Sequence, residues 1–229
     1  CCFVSCPQHA KEIRNDVGEA RQLVASGDPV VASLAPSFVA YYDGASMEAM
    51  RTALEKLGFA AVEETALGAV AVKKRYEELI NEGNRKVIIS SCCHSITLLL
   101  QRHFPEALPF LAPVVSPMQA HAMDIKKRLP GAKTVFIGPC ISKKAEADDY
   151  PGVVDCVLTF EGLSEWLDER GIAIPDNADR KPAADGECRG KTRLFPSAGG
   201  ILRSMSKTNK EYTYMHVEGV EACIRTIQD

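Results

Sequence analysis

Lys133-Thr134-Val135-Phe136-Ile137-Gly138-Pro139-Cys140-Ile141-Ser142-Lys143-Lys144 is the stretch from which the rest of this chain can be read. Its first five residues form a short run rich in β-branched side chains, the pattern of a strand buried on both faces. Gly138-Pro139 ends the run, a cysteine occupies the turn, and a basic pair opens the next segment. Ligand sites in open α/β sheets gather beyond the carboxyl ends of strands, which is where Cys140 is expected to stand. Lys143, three residues on, can lie near the same site and offset negative charge.

The same arrangement occurs earlier. A run over 86–90 leads into Ser91-Cys92-Cys93-His94-Ser95, with a helix expected directly after it. A helix N-terminus stabilises anions, so it lowers a thiolate pKa and favours metal binding. Consecutive side chains point in different directions, and Cys92 and Cys93 are therefore expected to have separate tasks. Runs at 29–34 and 155–159 also read as buried strands. Helical spacing places Met47, Met50, Leu54 and Leu57 on one face, and Val72, Tyr76, Leu79 and Ile80 on another. Further helices are expected over 95–103, 118–128 and 161–170. Strands alternating with helices give an α/β fold with a parallel sheet. The proline-rich interval 104–117 reads equally as a linker between two halves or as an ordinary loop. The segment 175–191 reads as an exposed, mobile loop.

Composition narrows the function classes. The 229 residues carry a net charge of -3, with no basic run to meet nucleic acid or a membrane surface. No apolar stretch approaches the roughly 20 residues of a spanning helix, and there is no secretory leader pattern. Nine cysteines, an odd number including two adjacent pairs, argue against a disulfide framework and for a reducing, cytoplasmic setting. Cys156 and Cys223 read as small buried hydrophobes. At the start, Cys2-Phe3-Val4-Ser5-Cys6-Pro7 matches the closing half of a bacterial ferredoxin run, whose last cysteine serves another cluster. Cys2 and Cys6 are thus candidate metal ligands, and the chain reads as a piece of a longer protein. Two rivals stay open on the residues alone. One is a cysteine nucleophile with His94 as its base. The other is a zinc site from Cys92, Cys93, His94 and Cys140, although neighbouring residues make poor joint ligands.

Taken together and in this order, the motifs resemble the iron-only ([FeFe]) hydrogenase large-subunit family. Its Thr-Ser-Cys-Cys-Pro-x-Trp motif is similar to Ser90-Ser91-Cys92-Cys93-His94-Ser95-Ile96, and its Met-Pro-Cys-x-x-Lys-Lys motif to Gly138-Pro139-Cys140-Ile141-Ser142-Lys143-Lys144. Ser116-Pro117-Met118 and Phe195-Pro196-Ser197-Ala198-Gly199-Gly200 resemble further family segments, and Leu34-Ala35-Pro36-Ser37 resembles its ferredoxin-to-catalytic-domain junction. The resemblance implies two α/β lobes with parallel-rich sheets flanked by helices, and a cluster site in the cleft between them. It divides the chain into the end of a ferredoxin-like segment (1–10), a first lobe (11–115) and an incomplete second lobe (116–229).

The same resemblance implies a [4Fe-4S] cluster joined to a di-iron centre carrying CO and CN ligands. Cys93 and Cys140 would ligate the cubane, with Pro139 and Ser116 beside the cofactor. Cys92 would be the proton-relay thiol, Lys143 a donor to a cyanide, and Glu146 a later group on the proton route. The implied reaction is reversible oxidation of H2 to protons and electrons. Implied partners are a ferredoxin-type electron carrier or fused ferredoxin domain and, in a sensing variant, a signalling domain. Four departures qualify this. The family's third cysteine motif is absent before Asp229, His94 and Ile96 replace Pro and Trp, Gly138 replaces Met, and Lys73, Lys74 and Arg75 stand where relay carboxylates are expected. They point to a divergent branch: a hydrogen- or redox-sensing module, or a cluster-binding relative without the di-iron centre.

Overall fold

The computed structural model describes residues 6–8, 10–175 and 190–229. In chain order come helix α1 (Val17–Ala25), strand β1 (Val30–Leu34), the short helix α2 (Phe38–Tyr41), helix α3 (Met47–Leu57), strand β2 (Ala61–Glu64) and helix α4 (Ala66–Glu82). Next are helix α5 (His94–His103), a 3-10 turn (Pro105–Phe110), helix α6 (Pro117–Arg128), strand β3 (Lys133–Ile137) and helix α7 (Ser142–Asp149). Strand β4 (Cys156–Leu158), helix α8 (Phe160–Glu169), a second 3-10 turn (Lys191–Leu194), and helices α9 (Gly200–Ser204) and α10 (Val220–Gln228) complete the described chain. The loop expected over 175–191 falls almost wholly outside the described residues.

The four strands form one parallel sheet in the order β2-β1-β3-β4. Leu34 stands opposite Glu64 on one side and Ile137 on the other, so β1, β2 and β3 end level with one another. Helices pack against the sheet and bury its two central strands, as the continuous apolar runs require. The α/β class read from the sequence holds. The sheet takes β1 and β2 from before residue 115 and β3 and β4 from after it.

Local signals set the helix ends. Ser46, Ser116 and Thr159 accept hydrogen bonds from the backbone N–H groups of Ala49, Gln119 and Gly162, capping α3, α6 and α8. Helix α4 crosses α6 at Gly68, where a Cβ would come 2.2 Å from the Pro117 carbonyl oxygen. Only glycine permits that approach.

Strand β2 has no counterpart among the expected strands, because Glu63 and Glu64 make it look like a polar turn. Tertiary partners neutralise both charges. Glu64 is buried and pairs with Arg193 at 2.7 Å. Glu63 accepts from His121 Nε2 at 3.0 Å and from Arg128 at 2.6 Å. His121 is fully buried, and its Nδ1 lies 2.7 Å from Ser33 Oγ, which in turn meets Thr65 Oγ1 at 2.8 Å. This polar chain ties β1, β2 and the start of α4 to α6.

The run at 86–90 forms a single bridge rather than a strand. Ile89 donates its N–H to Phe110 O and accepts from Ala112 N–H, each at 2.8 Å. Val87 is exposed, so the run's apolar character is only partly used. Ile88, Cys92 and Val114 instead pack with Val72, Tyr76, Leu79 and Ala112 in a small core, separate from the large core around the sheet.

Candidate metal centre

The two cysteine turns approach each other from different cores. Beyond β3, the Ala35 N–H donates to Ile137 O and the Gly138 N–H to Leu158 O, which fixes where the sheet stops. Pro139 and Cys140 emerge from it exposed, and α7 starts at Ser142. At Gly138 a Cβ would sit 2.8 Å from Phe136 Cζ and 3.0 Å from Ala35 Cβ, so a larger residue requires the Phe136 ring to shift.

In the other turn, Cys93 stands at the residue preceding α5 and is exposed, while Cys92 turns into the small core. Burial pushes the Cys92 thiol up, which keeps it protonated at neutral pH. Lys143 connects the two turns. Its ammonium donates to Cys92 O at 3.3 Å and pairs with the buried Glu146 one helical turn later. Gln119 Nε2 donates to Glu146 O at 3.4 Å, bringing α6 to the same place.

The remaining candidates divide. Lys144 points away from the site and is buried, donating to Asp16 at 2.6 Å and to Val157 O at 2.7 Å. Neighbouring lysines thus have different work, which their spacing in the sequence does not disclose. The Ser116 hydroxyl is engaged as the cap of α6. His94 is buried with Nε2 3.2 Å from Asp149, and among the described residues it joins no group of three or more potential metal ligands. Cys6 is half-buried, and Cys2 lies outside the described residues. Cys156 is a structural thiol, raised to about 12 by burial and then by nearby acids. Cys223 is a free, partly buried thiol on α10.

Sequence reasoning placed Tyr76 only on an apolar face. Its ring does join the small core, but its hydroxyl meets the Ser90-Ser91-Cys92 turn. Burial raises that phenol to about 12. A tyrosine among apolar residues, 14 positions before a Ser-Ser-Cys-Cys run, carried no distinguishing signal.

A cubane takes four thiolates. The described residues offer two exposed free thiols, Cys93 and Cys140, on turns joined through Lys143. Among the described residues no group of three or more His, Cys, Asp or Glu side chains is placed to hold a metal ion. The donor chemistry fits half of a cluster's ligand set.

Residues 28–228 match the family of the iron only hydrogenase large subunit, C-terminal domain. The chain belongs to this hydrogenase family. Iron hydrogenase 1 of Clostridium pasteurianum is 26% identical over 226 residues, covering 89% of this chain and 39% of that protein. The cytosolic Fe-S cluster assembly factor NAR1 of Encephalitozoon cuniculi is 32% identical over 110 residues, covering 47% of this chain and 29% of that one. Among solved structures, the [FeFe]-hydrogenase HydA(ΔEFG) aligns with a TM-score of 0.65 at 23% identity, covering 83% of this chain and 56% of that one. An apo HydA1 cysteine variant from Chlamydomonas reinhardtii aligns with a TM-score of 0.64 at 22% identity, with the same coverages. These likenesses establish the hydrogenase catalytic-domain fold. The chain spans less than half the length of these curated relatives. Among the described residues no helix is long and apolar enough to cross a membrane.

Proposed function

We propose that this hydrogenase-family domain supplies Cys93 and Cys140 as thiolate ligands to a [4Fe-4S] cluster, within a longer cytoplasmic protein that oxidises H2 reversibly. The observation that carries this reading is the Lys143 hydrogen bond to Cys92 O, which brings two cysteine-bearing turns together. The exposure of both thiols, with Cys140 just beyond a strand of the parallel sheet, supports it. A bound cluster would supply electron storage and, with a di-iron centre carrying CO and CN, the cleavage of H2.

The chain's own residues have narrower tasks. Cys92, protonated at neutral pH, holds a proton on its Sγ beside the site. Lys143 holds positive charge where anionic ligands would sit, and its buried partner Glu146 keeps it from swinging away. The small core excludes water behind Cys92. Electrons would leave to a ferredoxin-type carrier or domain. In the matured full-length protein, Cys140→Ser should cut iron content by about half or more, and infrared bands of bound CO and CN should be present before the substitution. Unchanged iron in Cys140→Ser overturns the ligand role.

A second reading is a cluster-binding protein without the di-iron centre, favoured by the match to cytosolic Fe-S cluster assembly factors. A matured protein with cubane iron and no CO or CN bands would support it. A hydrogen-sensing role draws support from Gly138, which stands where the resemblance expects methionine. Slow H2 turnover together with a partner that responds to H2 would mark that role.

A further inference from the structure

We propose that Tyr76 is the positioning residue that sorts the two adjacent cysteines, holding Cys92 inward and leaving Cys93 outward. The turn that carries them is held mainly by side-chain hydrogen bonds, among them Lys143 to Cys92 O and Ser91 Oγ to Val114 O. Behind it lies only the single bridge at Ile89, whereas the Cys140 turn stands on a complete ladder. Tyr76 comes from α4 with its ring packed in the small core, so its hydroxyl is delivered to a fixed point.

The hydrogen bonds at that point can be assigned, with two weaker contacts beside them: Cys92 N–H to Ser90 Oγ at 3.4 Å and Cys92 Sγ to Tyr76 Oη at 3.9 Å. Ser91 Oγ donates to Val114 O at 2.5 Å, so it accepts the Tyr76 O–H at 3.1 Å. Tyr76 Oη then accepts from the Ser91 N–H at 2.9 Å and from Ser90 Oγ at 3.2 Å. One phenol oxygen thus fixes a backbone N–H and two side chains of consecutive residues. With Ser91 pinned, Cys92 enters the small core, its Sγ 3.9 Å from the same oxygen, and Cys93 emerges at the start of α5. Phenylalanine would fill the same volume but leave the Ser91 N–H without its acceptor, and the turn would be free to rotate. The sorting is a property of the metal-free chain. It rests on the proposed function only in regarding Cys93 as a ligand.

The test uses the full chain, reduced and free of metal, pulsed with iodoacetamide and read residue by residue by tandem mass spectrometry. Cys93 should react at least about tenfold faster than Cys92, in keeping with their exposure. In Tyr76→Phe the ratio should fall below about threefold while Cys156 stays protected, which reports an intact fold. An unchanged ratio in folded Tyr76→Phe overturns the proposal. Should that variant not fold, amide exchange of the unsubstituted chain decides. The Ser91 N–H lies outside every helix and ladder, yet should exchange at least about a hundredfold slower than a free peptide. Exchange at the free-peptide rate overturns the proposal. Failure of iron binding after maturation would sink the ligand reading and leave the thiol ratio untouched.

Discussion

The two cysteine turns look alike in the sequence and are built differently. Cys140 follows a strand held on both sides, with β1 and β4 at its flanks and the large core behind it. Cys92 and Cys93 follow a run that makes one bridge, behind which lies a small core. Rigidity in the first turn comes from backbone ladders, and in the second from side-chain hydrogen bonds made by Tyr76, Ser91 and Lys143. A site between such regions has one firm wall and one that a single hydrogen-bonding group can loosen. Local stability differs across a protein in this way, and sites that must open draw on the weaker side.

Equivalent deletions in the two cores test the comparison most strongly. Leu54→Ala, in the large core, should cost about 4 kcal/mol, while Leu79→Ala in the small core should cost about 2 kcal/mol, because its surroundings can collapse. Urea unfolding monitored by circular dichroism measures both, and equal costs would break the comparison. Next in size is the buried pair behind the Cys140 turn. Asp16→Asn removes the charge facing Lys144 and should cost about 3 kcal/mol, since an unpaired buried ammonium remains. A cost under about 1 kcal/mol would show that water reaches Lys144.

The smallest effect sharpens the account of the polar chain behind β2. The His121 hydrogen bond, with Arg128 beside it and against the pull of burial, holds Glu63 down at about 2. A carboxylate whose folded pKa lies below its unfolded value stabilises the fold above the unfolded pKa and loses that contribution as pH falls. Stability of the unsubstituted chain should therefore drop by about 2 kcal/mol between about pH 5 and pH 2 through this group. Glu63→Gln should lack that part of the slope. Identical acid slopes for the two proteins would refute the linkage.

Where elements were legible, one residue class carried the signal. The runs now seen as β1, β3 and β4 were readable because buried parallel strands use continuous apolar, β-branched side chains. Helices α3 and α6 were readable from their helical spacing. β2 was not readable, since Glu63 and Glu64 are neutralised by His121, Arg128 and Arg193 from distant segments. The 86–90 run misled in the opposite sense, because its β-branched residues suit a strand but only Ile89 finds a partner.

For the site, the sequence by itself determined the α/β class and the presence of two cysteine turns, with a helix after Cys93; the helix after Cys140 came from the structure. Periodicity and turn residues are local, and a single chain displays them. Tertiary structure alone decided that Lys143 bridges the turns while Lys144 locks Asp16, and that Tyr76 reaches the Ser91 backbone. It also decided which of Cys92 and Cys93 faces out. Those choices depend on which groups from distant segments meet at hydrogen-bond distance, and that is set by packing rather than by spacing along the chain.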